Sequence, residues 1–154
     1  MYMKAVIGIG VPGSGKTTYL KPLAKREGLA YLSADDIRAE VNGDPGDQSN
    51  HLVVMRLLHE RLLQNLQQGK GLVIDMTNSR QQDRRKAVIF CRQHGATDVV
   101  AYWFNTPLSV AKQRNRERTR VVPDRAVEVM ANRLQMHPPS LDEGYDRMVV
   151  IEDY

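Results

Sequence analysis

The stretch Gly10-Val11-Pro12-Gly13-Ser14-Gly15-Lys16-Thr17 stands between a β-branched run, Ala5–Ile9, and a helix-forming run, Thr17–Arg26. Its glycines let successive backbone N–H groups point inward at phosphate oxygens with no Cβ in the way. The helix that follows adds the positive end of its dipole. Lys16 is placed to reach the β- and γ-phosphates of ATP, and the Thr17 hydroxyl to ligate Mg²⁺. Strand, glycine-rich loop and helix in that order distinguish a phosphate loop from a chance glycine-rich turn.

Outward from the loop, short apolar runs alternate with helical ones. Ala30–Ser33 reads as a second strand, and Asp35–Val41 as a short helix that stops at the surface turn Asn42-Gly43-Asp44-Pro45-Gly46. Between Ser49 and Gln68, Leu52, Met55, Leu58, Leu62 and Leu66 recur at three- and four-residue steps. That period predicts an amphipathic helix capped by Ser49 and stopped by Gly69. Leu72-Val73-Ile74 predicts a buried strand ending at Asp75, Gln81–His94 a basic helix, and Val99–Phe104 the next strand. Pro107–Arg118 begins with proline at a helix start, Val122-Pro123 interrupts it, and Arg125–Met136 continues to His137-Pro138-Pro139. Met148–Ile151 is the last apolar run. Strands alternating with helices predict an α/β domain whose parallel sheet is covered by helices on both faces.

Composition sets the outer bounds. A chain of 154 residues with 42% hydrophobic and 26% charged residues has the balance of one folded globular domain. No apolar stretch reaches membrane-span length, and Met1–Ile9 lacks a signal-peptide layout, so no membrane partner and a cytoplasmic location are expected. One cysteine, Cys91, and four scattered histidines offer neither an internal disulfide nor a zinc site. The excess of 22 Lys and Arg over 18 Asp and Glu is concentrated in Lys112, Arg114, Arg116, Arg118, Arg120 and Arg125, and in Arg80, Arg84, Arg85 and Lys86. Such clusters suit a phosphate-rich partner, and equally a solvated helix face.

A phosphate loop names the donor and leaves the acceptor open. Ligands of open α/β sheets bind at the carboxyl ends of the strands, and two acidic sites fall there. Asp35 and Asp36 follow the second strand, and Asp75 ends the strand expected beside the phosphate-loop strand. A carboxylate within hydrogen-bond reach of an alcohol accepts its proton as the transition state forms. Either Asp35 or Asp36 also suits a helix N-cap. Arg38, three residues after Asp35, shares its helical face and is placed to hold a substrate phosphate beside the base, or to form a plain surface ion pair. Asp75 has the position of a carboxylate that holds Mg²⁺ directly or through water, or that caps a neighbouring helix.

Four signatures match a known family: GVPGSGKTT at Gly10–Thr18, S-x-DD-x-R at Ser33–Arg38, D-x-TN at Asp75–Asn78, and RNRER…VP at Arg114–Pro123 followed by EGYD at Glu143–Asp146. From about Lys4 to Ile151 the chain resembles the 5′-hydroxyl polynucleotide kinases of end-healing enzymes, within the wider group of P-loop kinases related to zeta toxins. The resemblance implies a five-stranded parallel sheet in the order 2-3-1-4-5, flanked by helices, with a helical lid over about 112–137. It implies that Gly10, Pro12, Gly13, Ser14, Gly15, Lys16, Thr17 and Thr18 hold ATP, with Thr17 and Asp75 on Mg²⁺. Asp35 is the implied general base, Arg38 and Asn78 the acceptor contacts, and Arg118, assisted by Arg114, the cation from the lid that stabilises the transferring phosphoryl group. Lys16, Asp35, Arg38 and Arg118 are thus the implied catalytic set. The implied substrate is the 5′-OH end of DNA or RNA.

Three departures and two competing readings accompany this. No DxDGT phosphatase motif and no NKxD guanine-reading motif occurs, and Thr17 stands where the family commonly has serine, which serves Mg²⁺ equally well. The same loop and base also fit another alcohol acceptor: a hydroxymethylated DNA base, a nucleotide sugar or a small metabolite. A nucleotide-binding adaptor without turnover needs neither a base nor a lid arginine, so Asp35 and Arg118 argue against it.

Overall fold

Lys4–Ile9 forms β1, and five of its six side chains are buried. In the computed structural model, which describes residues 1–118 and 121–152, it leads to α1 (Lys16–Glu27), β2 (Ala30–Ser33), α2 (Ala34–Asn42), α3 (His51–Gln67) and β3 (Leu72–Asp75). There follow α4 (Gln81–Gln93), β4 (Asp98–Phe104), α5 (Leu108–Arg116), α6 (Asp124–Met136), a 3₁₀ turn at Leu141–Glu143 and β5 (Arg147–Ile151). The sheet has the order β2-β3-β1-β4-β5 and every pairing is parallel, as expected.

β1 pairs with β3, Ala5 opposite Leu72, and with β4, Lys4 opposite Asp98. A central parallel strand is buried on both faces, which is why Ala5–Ile9 is continuously apolar rather than alternating. Its alternate residues feed two cores. Ala5, Ile7 and Ile9 join Val54, Leu58, Leu62 and Val88 on the larger face, while Val6 joins Leu20, Leu23 and Phe104 on the other. With all strands parallel, the ends that carry Gly10, Ser33 and Asp75 open along one edge of the sheet.

Several local expectations shift for identifiable reasons. The α3 cap is Asn50, at φ 56° and without a side-chain cap bond, rather than Ser49. Ser49 is already engaged: its N–H and hydroxyl both donate to Asp47 Oδ1, and its carbonyl accepts from Asn42 Nδ2. The buried stripe of α3 is Val54, Leu58, Leu62 and Leu66, whereas Leu52 is 84% exposed. Fixing the first turn on Asn50 turns Leu52 to solvent and brings Val54 inward. Neither Asp35 nor Asp36 caps α2; Ser33 does, its hydroxyl accepting from the Asp36 N–H at 3.4 Å. α5 stops at Arg116 rather than 118, and α6 starts at Asp124 with Pro123 at its N-cap.

The largest correction concerns Arg84. Grouped by sequence with the surface cations Arg80, Arg85 and Lys86, it is fully buried, and so is the side chain of its partner Glu143. Arg84 Nε and Nη2 each donate to the Glu143 carboxylate at 2.8 Å, in a bidentate pair. The remaining donors reach the carbonyls of Asn78 (3.1 Å), Ser79 (3.2 Å) and His137 (2.7 Å). Tyr145 O–H donates to Glu143 Oε1 at 3.0 Å, and burial, reinforced by that carboxylate, pushes the phenol pKa up. EGYD is therefore a structural centre: Glu143 neutralises Arg84, and the Asp146 carboxylate accepts from the Val99 N–H at 2.8 Å to dock β5 on β4.

Breaking a buried ion pair from one side strands a charge, so Glu143→Ala is expected to lower unfolding stability by about 3–5 kcal/mol in urea titrations. The joint replacement Arg84→Met with Glu143→Leu should recover most of that loss, because no unpaired charge remains. Cys91 is fully buried and its thiol is pushed up to about 12 by burial. In the native protein at pH 8 it should therefore resist thiol reagents that modify it rapidly once the chain is unfolded.

Candidate active site

The chain leaves β1 at Gly10, whose N–H donates to Thr77 O at 3.0 Å, and turns through Gly13 (φ 85°) and Gly15 (φ 92°) into α1. Both φ values lie where only glycine is unstrained. Gly13 has a second reason to lack a Cβ: an added one would sit 2.2 Å from the Ala111 carbonyl of α5. Thr106 Oγ1 donates to Ser14 O at 3.1 Å. The loop is thus wedged between the sheet and α5. Lys16 curls back over it, Nζ donating to Gly10 O at 2.7 Å and Val11 O at 3.2 Å, so its charge lies over the concavity that the amides surround.

Next to the loop, Thr17 Oγ1 donates to Asp75 Oδ2 at 2.8 Å. Asp75 is buried at the end of β3, paired in register with Gly8 of β1 and Ser33 of β2. Tyr31 of β2, which sequence reasoning missed, donates its hydroxyl to the same oxygen. Burial first, then the Asp75 charge, pushes the Tyr31 pKa up, so the phenol stays a donor at neutral pH. A hydroxyl and a carboxylate side by side are hard oxygen donors of the kind Mg²⁺ takes, with phosphate and water oxygens completing its shell. Thr17 and Asp75 fit such an ion, and Tyr31 steers the carboxylate.

On the other side of β3, the first turn of α2 carries Asp35. Arg38 Nη1 donates to Asp35 Oδ1 at 2.7 Å, an i,i+3 pair as the spacing predicts. The Arg38 side chain is 11% exposed, and among the described residues its Nε is buried with no hydrogen-bond partner. Asn78, at φ 49°, donates Nδ2 to Gly8 O at 2.8 Å, so its amide ties the loop after β3 to β1.

The segment over about 112–137, expected as a lid, includes the end of α5 and all of α6. Arg120 lies outside the described residues. Asn115 is fully buried and grips the second helix's approach from both sides: Nδ2 donates to Val122 O at 2.6 Å, and Oδ1 accepts from the Val122 N–H at 3.1 Å. In R-N-x-x-R the asparagine is therefore a clamp that sets the turn carrying Arg118. Arg116 pairs with Asp124 at 2.5 Å and Lys112 with Glu128 at 2.5 Å. The basic face is accordingly thinner than the count of cations suggests. Arg114 is exposed, while Arg118 is half-buried.

A cleft of about 1070 Å³ brings these parts together. Lys16, Thr17, Asp75, Asp35, Arg38 and Arg118 all line it, and so does Asn78. Arg114 and Thr18 are not among its lining residues.

The family described as an AAA domain (AAA_33) matches residues 6–137. Solved structures share the fold. A protein of the PezAT toxin–antitoxin system of Streptococcus pneumoniae is 16% identical with a TM-score of 0.78, over 98% of this chain and 69% of that one. A protein of a Pnkp1/Rnl/Hen1 RNA repair complex is 22% identical with a TM-score of 0.75, over 88% of this chain and 45% of that one. A gluconokinase from Sinorhizobium meliloti 1021 is 19% identical with a TM-score of 0.61, over 98% of this chain and 83% of that one.

Tyr31→Phe removes one of the two hydroxyls on Asp75 and leaves the β2 packing in place. It is expected to raise the Mg²⁺ concentration needed for tight ATP binding by about 10-fold or more, measured by titrating Mg²⁺ against fluorescent ATP.

Proposed function

The chain belongs to the AAA domain family AAA_33, with the fold of P-loop kinases, and from that premise we propose that it is an ATP-dependent kinase acting on the 5′-OH end of a polynucleotide. The observation that carries the reading is the Asp35–Arg38 pair in the cleft that also holds Lys16 and Thr17. Arg38 gives one nitrogen to Asp35 and keeps a buried Nε unpaired. A buried guanidinium nitrogen without a partner is costly until an anion reaches it. An acceptor that brings a hydroxyl to Asp35 and a phosphate to Arg38 satisfies both groups, and the 5′ end of a nucleic acid has that layout.

In the proposed step the Asp35 carboxylate accepts the hydroxyl proton while the alcohol oxygen bonds to the γ-phosphorus of ATP. The bond from that phosphorus to the β,γ-bridging oxygen breaks and ADP leaves. Lys16 uncurls from the Gly10 carbonyl onto the phosphate oxygens, and the loop amides, with Gly13, Ser14, Gly15 and Thr18 at their head, orient the donor. Thr17 and Asp75 would hold Mg²⁺, which would supply positive charge beside the donor phosphates. Arg118, aimed by the Asn115 clamp, stabilises the charge that develops on the transferring group, and Arg114 assists from the lid surface. Residues 112–137 act as the lid of a single catalytic domain and exclude water.

A second reading, phosphorylation of a small alcohol, is favoured by one observation: much of the cleft wall is apolar, which suits an enclosed acceptor body as well as a chain end.

Labelled ATP with 5′-OH oligonucleotides tests the proposal. Asp35→Asn is expected to cut kcat by about 10²–10⁴-fold with ATP binding retained, because the base is lost and the donor site kept. Arg38→Ala should raise KM for the oligonucleotide. Undiminished transfer by Asp35→Asn, or none by the wild type, overturns the reading.

A further inference from the structure

Ser14 of the glycine-rich loop is fully buried, and its backbone is committed on both sides. Its N–H donates to Val11 O at 3.1 Å, and its carbonyl accepts from Thr106 Oγ1 at 3.1 Å. Its hydroxyl is different. Among the described residues, Ser14 Oγ is buried with no hydrogen-bond partner. The oxygen is pressed against Gly10, where an added Cβ would lie 2.6 Å from it and 3.1 Å from the Phe104 carbonyl. Glycine at position 10 thus makes the room that the hydroxyl occupies. Leaving a buried hydroxyl unpaired is costly, so its presence points to a second arrangement of the loop in which it is paired.

A phosphate cradled at a helix N-terminus needs backbone N–H groups, and the one on Ser14 is spent on the Val11 carbonyl. To reach a phosphate it has to leave that carbonyl, which Lys16 Nζ also contacts at 3.2 Å. A serine hydroxyl readily donates to the carbonyl three or four residues before it. For Ser14 those carbonyls belong to Val11 and Gly10. We propose that Ser14 exchanges donors when ATP loads: its N–H turns from Val11 O to a donor phosphate, and its hydroxyl takes over the carbonyl that the N–H gives up. The loop keeps its internal hydrogen bond and releases one amide to the ligand. Ser14 is then a positioning residue for the donor, acting through its own backbone. This rests on the reading of the loop as the ATP site and is independent of the acceptor.

The exchange makes opposite demands on the side chain in the two states. In the empty loop a methyl group serves as well as the hydroxyl or better, because neither finds a partner there. In the loaded loop the order reverses, since a methyl group offers nothing to the vacated carbonyl. A hydroxyl with a purely structural role would instead support the empty loop.

The test compares Ser14→Ala with the wild type in both states. Thermal unfolding without ligand reads the empty loop, and calorimetric titrations with ATP and with inorganic pyrophosphate read the loaded one. Ser14→Ala is expected to melt at or above the wild-type temperature, yet to bind ATP and pyrophosphate about 3- to 10-fold more weakly, the value of one hydrogen bond. Adding pyrophosphate to the ¹⁵N-labelled wild type should move the Ser14 amide resonance downfield. A lower melting temperature for Ser14→Ala overturns the exchange, because the hydroxyl is then already paired in the empty loop. Unchanged affinity, a loss confined to ATP, or an unmoved Ser14 amide overturns it as well, while the loop stands as the ATP site. If the wild type binds neither ATP nor pyrophosphate, the ATP-site reading falls and the exchange with it.

Discussion

The buried pair of Arg84 and Glu143 is the contact on which the geometry of the cleft depends. A guanidinium removed from water must spend all its donors, and here they are divided among segments far apart in sequence: the carboxylate of Glu143, the carbonyls of Asn78 and Ser79 after β3, and the carbonyl of His137 after α6. Asn78 in turn holds Gly8 of β1. One charge centre therefore sets the loop after β3 and the end of α6 together.

The glycine-rich loop is the complementary joint, at the start of α5. Gly13 lies so close to the Ala111 carbonyl that a methyl group would collide with it, and Thr106 holds the Ser14 carbonyl. The loop's shape is accordingly set as much by α5 as by the ligand it cradles. Any change in the loop is therefore felt directly at the start of α5.

Much of this was legible in the residues. Five strands and their alternation with helices followed from apolar runs, and the phosphate loop from glycines that backbone geometry demands, whereas the sheet order came only with the family resemblance. The Asp35–Arg38 pair followed from helical spacing. What escaped reading were contacts made across sequence. Nothing local separates Arg84 from Arg85, since burial is decided by Glu143, 59 residues later. Tyr31 looked like an ordinary strand residue because its partner, Asp75, is supplied by β3. The Ser49 cap failed because Asp47 competes for the same donors, which residue preferences alone do not weigh.

The strand order also bears on how the chain is made. β1 is synthesised before both of its partners, β3 and β4, although Ala5 must meet Leu72 on one side and Val99 on the other. Until those segments appear, the most apolar strand of the protein has both hydrogen-bonding edges open, and local helices form long before the sheet that will seat them. Non-local parallel pairing is slow to nucleate and exposes sticky intermediates. During synthesis, the same central position that makes β1 the axis of the finished domain makes it the segment most in need of shelter by a chaperone.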